Sequence, residues 1–522
     1  MRHVLAGLVL SSMFFARAWA GQPSHIYGVN LGSWLVLELW MLPQGWVDMG
    51  GQLCGSDCST CISTESAFAK AYPNTVDATF AQHWDTWFTQ SDVNTLKAAG
   101  INTVRIPLGY WIVEDLVNRP SEAYPRGGLG YLRRGLGWLK DAGIQVILDH
   151  HALPGVQTAQ QMFTGECTTD VQFYTTYNYG RALVWTAVMT TLSHLDPYFS
   201  NVFSIEAANE PITDATQTPG YGTFQENFVQ IIRAVELTLG VSVPSSNLSV
   251  SVSTSVSNNF TAALSATSSS TVFSAEVQAA LSEAVPIIRG IGTTYNLQTI
   301  FEASPFKQSG TPLVANFMDV NWQYNNPANP ADAASGPQAY DNHLYFSSAG
   351  YDPTSYMTSI CNLPKIQADA ALGNSPLWFG EWSLDTQFNA TDEFLYQWAD
   401  AQKMAYSKGA GWIYWNFKIE SSSLTNGSAR ARQWSYLEGL ELGYFTQDPA
   451  AYHNPNVCAP YSNSTSTNNT SSNSNSNSSS ASSSTSNGTS HHTSSSVLVS
   501  IPSSGYQQLF YFIFALLSLS FL

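Results

Sequence analysis

Two glutamates close apolar runs. Phe203–Pro211 reads FSIEAANEP and stops at Asn209-Glu210-Pro211, and Leu377–Ser383 reads LWFGEWS and carries Glu381. Both runs read as buried strands, and Pro211 closes the first because proline has no N–H to extend a ladder. A carboxyl at a strand end can serve as acid, base or nucleophile. Two of them about 5–5.5 Å apart suit a double displacement at an anomeric carbon, one as acid/base and the other as nucleophile. A single glutamate in such a place is most often a solvated loop carboxylate. Two in the same setting, one inside Asn-Glu-Pro, weaken that reading, and their distance in sequence demands a fold that gathers strand ends.

Other polar side chains interrupt apolar runs. Glu38 stands in LVLELW at 35–40, where bare burial is costly, so it reads either as facing a polar cavity or as starting a helix toward water. Arg105 lies inside INTVRIPLGY and needs an anionic partner or a cavity; Glu381 is a candidate, and a cation there would keep a nucleophile ionised. The alternative is a structural ion pair. Asp149-His150-His151 ends IQVILDHH. A metal site is a weak reading because neighbouring strand residues face opposite ways; one His in a barrel mouth and the other in its wall fits better. His343 and Tyr345, two apart in AYDNHLYF, share a face, and Trp412 and Trp415 lie in GWIYWNFK.

Eight strand candidates hold these residues: Tyr27–Trp34, Ile101–Tyr110, Ile144–His151, the run ending at Glu210, Leu297–Ala303, Ala339–Phe346, Leu377–Ser383 and Gly411–Lys418. Helical patterns alternate with them at His83–Ala99, Leu129–Ala142, Arg181–Leu195, Phe224–Leu239 and Asp392–Ser407, the second closed by Gly143. This alternation predicts an α/β fold, a (β/α)8 TIM barrel, with functional groups at the C-terminal strand ends. Val241–Val272 is rich in Ser, Val and Thr with sequons at Asn247 and Asn259, and reads as a surface insertion (about 241–290) with an extra helix at Glu276–Arg289. Asn316–Pro330 reads as a loop holding Trp322 and Tyr324.

The ends differ from this middle. Residues 1–20 pair Arg2 and His3 with the apolar Val4–Phe15 and an Ala18-Trp19-Ala20 site, the form of a secretory signal. The barrel domain then spans 21–460. Residues 461–496 are mostly Ser, Asn and Thr, too polar to bury a core, with five further sequons beginning at Asn463: a glycosylated stalk. Residues 497–522 end in the apolar Leu509–Leu522 and read as a GPI-attachment signal, with a membrane helix as the alternative. Six cysteines on a secretory route favour disulfides over zinc at Cys54, Cys58 and Cys61. A net charge of −17 with only 20 Lys and Arg argues against nucleic acid, and 16 Trp suit stacking on sugars as well as core packing.

In order along the chain, GVNLGSWLVLE (28–38), NTVRIPLGYW (102–111), ILDHHALPG (147–155), ANEP (208–211), DNHLY (341–345), FGEW (379–382) and YWNFK (414–418) make the sequence resemble the fungal secreted β-glucanases of glycoside hydrolase family 5. HWDTWFTQSD, EDLV and PRGGLGYL resemble the endo-β-1,6-glucanases; the exo-β-1,3-glucanases share the other motifs. The resemblance implies Glu210 as acid/base and Glu381 as nucleophile. It implies Arg105, His151, Asn209, His343 and Tyr345 as residues that orient the pair and contact the reacting sugar, Trp415 as a sugar platform and Glu38 as a substrate-binding acid. It implies no metal, no organic cofactor and a β-glucan substrate; the C-terminal signal adds the expectation of a monomer held at the outer membrane leaflet or cell wall through a GPI anchor. The family's Asp-Leu-His-Gly reads here Asp149-His150-His151-Ala152, and its Leu-Glu-Pro-Trp reads Leu37-Glu38-Leu39-Trp40. An exo-β-1,3-glucanase, a wall transglycosylase and, from another class, a non-catalytic glucan-binding wall protein are the alternative readings.

Overall fold

The computed structural model describes residues 22–462 except 55–56, 213, 245–258, 303–309, 323–324, 347–351 and 426–427. The leader, the stalk, the GPI signal, Asn247 and Tyr324 lie outside the described residues.

Eight parallel strands close into a barrel in chain order: β1 (Ile26–Asn30), β2 (Thr103–Gly109), β3 (Gln145–Ala152), β4 (Val202–Glu206), β5 (Val314–Met318), β6 (Gln338–His343), β7 (Leu377–Glu381) and β8 (Gly411–Tyr414). The strands are buried at all but Tyr27 and Gln145, as expected where helices cover the outside and side chains fill the inside. Every second residue shares a face, and along that face the chemistry changes from apolar to polar. Ile147 is followed by Asp149 and His151, Val314 by Asn316, Ala339 by Asp341 and His343, and Ile413 by Trp415. Ile26, Ile147, Phe203, Val314, Ala339, Trp378 and Ile413 form one apolar cluster; residues of seven strands can meet only inside the barrel, so this cluster is its floor. The polar layer lies one step nearer the mouth.

The fifth strand is Val314–Met318, not Leu297–Ala303; Gln298–Phe301 is a short helix. The first strand stops at Asn30, a turn follows at 32–34, and Leu35–Trp40 bends into the short 3-10 helix Leu39–Met41. His83–Ala99 is broken into Val76–Trp87 and Gln90–Ala98, because Thr89 and Asp92 make a capping box that starts a new helix. The described part of the 241–290 segment is more than a surface excursion. Phe260–Thr267 and Ala275–Thr294 are helices whose Phe260, Leu264, Leu281 and Ile288 join the core. The second packs against Thr176–Leu195, which explains why that helix is buried almost all round.

Three disulfides join Cys54 to Cys61, Cys58 to Cys167 and Cys361 to Cys458. The third ties the helix Pro353–Cys361 to the last turns of the folded region. Asn362 Nδ2 donates to the carbonyl of Tyr461 (2.8 Å) beside it.

Candidate active site

Glu381 is the last residue of β7, at the mouth. Glu210 lies past the end of β4, but the ladder continues toward it through Ala207 N–H to Asn316 O (3.0 Å) and Asn209 N–H to His150 O (3.1 Å). The Thr158 hydroxyl donates to the Glu210 carbonyl at 2.7 Å, and Glu210 has a φ of +41°, sparsely populated for a residue with a Cβ. A carboxylate oxygen of each glutamate and a nitrogen of His343 lie within 4.8 Å of one another. His343 Nδ1 is 2.8 Å from Glu210 Oε1 and 3.5 Å from Glu381 Oε2.

The two carboxyls have different company. Glu381 accepts from Arg105 Nη1 at 3.1 Å and from the Tyr345 hydroxyl at 2.9 Å. Glu210 has the imidazole, which burial drives down to a pKa of about 4 and so keeps neutral. Burial pushes both carboxyls above the ordinary carboxylate range. The two donors facing Glu381 favour its anion. The Glu210 side chain is 15% exposed against 7% for Glu381.

Arg105 organises the layer beneath. It is not at a strand end: it is the third residue of β2, fully buried, and its length carries the guanidinium up to the mouth. Nε donates to Glu206 (2.8 Å), Nη1 to Asn30 (3.1 Å) and Glu381, and Nη2 to Asn209 Oδ1 (2.9 Å). Asp149 lies 3.0 Å away and Asp341 3.7 Å. Burial works against its charge, but these carboxylates outweigh it and raise its pKa. One cation cannot balance four buried carboxyls, and burial pushes Asp149 up to about 7. Protons therefore reside in this layer at neutral pH.

The remaining expected residues are also at the mouth. His151 Nδ1 meets Asp149 at 2.6 Å, and its ring lies parallel to Trp415 at 5.7 Å. His150 stacks on Trp185 of the outer helix Thr176–Leu195 at 4.0 Å, so the two histidines face opposite ways. Trp415 is 3% exposed, a narrow surface for a platform. Glu38 begins the short turn Leu39–Met41 and yet is buried, its Oε2 accepting from Trp40 Nε1 at 2.9 Å. Burial raises it to about 8.

The cellulase family model, glycosyl hydrolase family 5, matches residues 70–421. The chain belongs to glycosyl hydrolase family 5. Among curated relatives it is 30% identical over 459 residues to glucan endo-1,6-beta-glucosidase B of Emericella nidulans, covering 85% of this chain and 90% of that protein. It is 30% identical over 223 residues to the probable glucan 1,3-beta-glucosidase A of Neosartorya fischeri, covering 40% of this chain and 47% of the relative. The rutinosidase from Aspergillus niger shares the fold, with a TM-score of 0.52 at 17% identity over 81% of this chain and 98% of that one.

Within this family 5 site, sequence reasoning passed over Glu206, Asp341 and Asn30. Each is a polar residue inside an apolar strand run, the same signal that singled out Arg105. Trp434 was also missed; it comes from the helix Ser428–Trp434 and gives no signal in its own stretch. Glu206–Asp341–His343 and Glu210–His343–Glu381 are the two clusters, among the described residues, with three donor atoms close enough to share a cation. The arrangement as it stands can donate a proton from one carboxyl while the other attacks.

Proposed function

We propose that this family 5 enzyme is a retaining β-glucanase acting endo on β-1,6-linked glucan. The observation that carries the retaining mechanism is the approach of Glu210 and Glu381 oxygens to within 4.8 Å, in keeping with the spacing of about 5–5.5 Å for a retaining pair and well short of the roughly 6.5–9.5 Å that inversion needs. The linkage rests on the likeness, over most of both chains, to the Emericella endo-1,6-glucosidase.

Glu381, ionised beside Arg105 and Tyr345, attacks the anomeric carbon as the bond to the leaving oxygen breaks. Glu210 gives its proton to that oxygen. The resulting glycosyl ester on Glu381 is opened by water, whose proton returns to Glu210, and free sugar leaves with Glu381 restored. Asn209, its Oδ1 held by Arg105, is left with its amide to donate to the 2-hydroxyl of the reacting sugar. Tyr345 steadies the nucleophile, and Glu38 and Trp415 contact the bound sugar.

The test uses purified barrel domain with a β-1,6-glucan and a β-1,3-glucan side by side, following product sizes over time. Gentio-oligosaccharides of mixed length are expected from the first. Glucose alone from the second supports the exo-β-1,3 reading, which the shorter match to the Neosartorya protein favours. Glu381→Gln with near-normal turnover would sink the assignment of the nucleophile. A glycosyl ester could also pass its sugar to a second carbohydrate, and longer products would report it.

We further propose that the chain is secreted after loss of residues 1–20 and is held at the cell surface or wall by a GPI anchor through a glycosylated stalk. Three disulfides are in keeping with an oxidising route.

A further inference from the structure

We infer that Trp434 is a specificity-determining residue: its indole is the stacking surface for the second glucosyl unit on the glycone side of the bond cleaved. The inference rests on the β-glucanase reading and adds the place where the chain beyond the reacting sugar is held.

Three partly exposed aromatic rings run from the nucleophile toward the rim. Tyr345, whose hydroxyl holds Glu381, lies 5.5 Å from Trp434, and Trp434 lies 5.2 Å from Trp40, whose indole N–H holds Glu38. The strip therefore begins at one catalytic carboxyl and ends at a second buried acid. Glu210 lies just past the end of β4, and β8 is opposite β4 in an eight-stranded ring. Trp434 is fixed at the β8 side: its carbonyl accepts from Asn416 N–H, just past β8, at 2.8 Å, and the Gln433 carbonyl accepts from Leu384 N–H, just past β7, at 3.0 Å. The leaving sugar departs on the side of the acid that protonates it. The sugar retained on Glu381 must then extend the other way, along Tyr345, Trp434 and Trp40.

A β-glucosyl unit has all its hydroxyls equatorial, which leaves C–H faces that pack on an indole and remove its apolar surface from water. An axial hydroxyl would interrupt that face. The backbone anchors and the rings of Tyr345 and Trp40 on either side hold the indole before substrate arrives, so little ordering opposes binding. Trp434 also lies beyond residue 421, where the family match stops.

The experiment compares an aryl β-glucoside, which offers one glycone sugar, with the aryl β-gentiobioside, which offers two. Loss of the stacked face in Trp434→Ala or Trp434→Leu is expected to cut kcat/KM for the gentiobioside roughly ten- to a hundredfold and leave the glucoside within about threefold. Trp434→Phe is expected to recover most of the loss, since it restores a flat ring. Equal losses on both substrates in Leu and Phe variants would make Trp434 structural and overturn the inference, as would no loss on either. Wild-type protein inert toward both aryl glycosides and toward β-glucans would refute the β-glucanase reading itself and take this inference with it.

Discussion

Tyr345→Phe removes one oxygen from the site and nothing else of consequence. The hydroxyl donates to Glu381 Oε2 at 2.9 Å, while the ring packs near Trp434, a contact phenylalanine keeps. A hydrogen bond to a charged group contributes about 1.5–3 kcal/mol. If Glu381 is the anion that attacks, losing the donor costs roughly ten- to a hundredfold in kcat/KM. It also moves a pKa, with a fixed sign. The donor favours the ionised carboxyl, so its loss raises the Glu381 value by about 1–2 units. The acid limb of the pH–rate profile, below which Glu381 is protonated and inert, then shifts to higher pH. The alkaline limb, set by Glu210, moves less. Initial rates on an aryl β-glucoside across acid and neutral pH read both effects in one series. A variant with wild-type kcat/KM and an unmoved acid limb would refute the assignment of Glu381 as the ionised partner.

Two further substitutions test the frame. Glu65 is fully buried; its Oε1 accepts from Leu37 N–H at 2.6 Å, Oε2 has no partner among the described residues, and burial raises it to about 8. A carboxyl raised above its unfolded value contributes stability that is whole below about pH 4.5 and lost as pH climbs toward 8. Glu65→Gln should therefore flatten the fall of Tm between acid and mildly alkaline pH, a gain on the order of 3 kcal/mol at the alkaline end. A Tm that falls with pH as in wild type would contradict this. Gly380→Ala would place a Cβ 2.0 Å from Asp341 Oδ2, against a carboxyl that takes the Gly380 N–H at 2.6 Å and sits beside Arg105. Denaturant titration should show a loss of roughly 2–4 kcal/mol. Turnover should fall about a hundredfold through displacement of the adjoining Glu381.

Much of the barrel was legible because its strands are short apolar runs between helices closed by glycine, as at Gly143. The fifth strand was not. VANFM carries Asn316, which faces the barrel interior in register with Glu206, and a polar residue there reads as a loop. The apolar LQTIF upstream looks more like a strand and folds as a turn of helix. The same inward polarity hid Glu206 beside Glu210: four positions apart in one motif, the first serves Arg105 and the second faces the cleft. Glu210, Glu381, Arg105, His343 and Tyr345 were all marked by chemistry out of place in an apolar run. Trp434 had no such mark, since an aromatic in a short polar helix carries no information until the fold sets it beside Tyr345.

The bond between Cys361 and Cys458 has a mechanical meaning. Tension applied to the chain beyond Tyr461 reaches, within a few residues, a covalent link to the helix Pro353–Cys361, with Asn362 holding Tyr461 alongside. A pull from that end cannot peel away the final turns, then β8, then the helix Asp392–Tyr406, one after another. It is delivered to a helix on the barrel wall, across many contacts loaded at once. The segment carrying Glu381, Trp415 and Trp434 lies inside the covalent loop, so a pull from that end bypasses it along the Cys361–Cys458 bond.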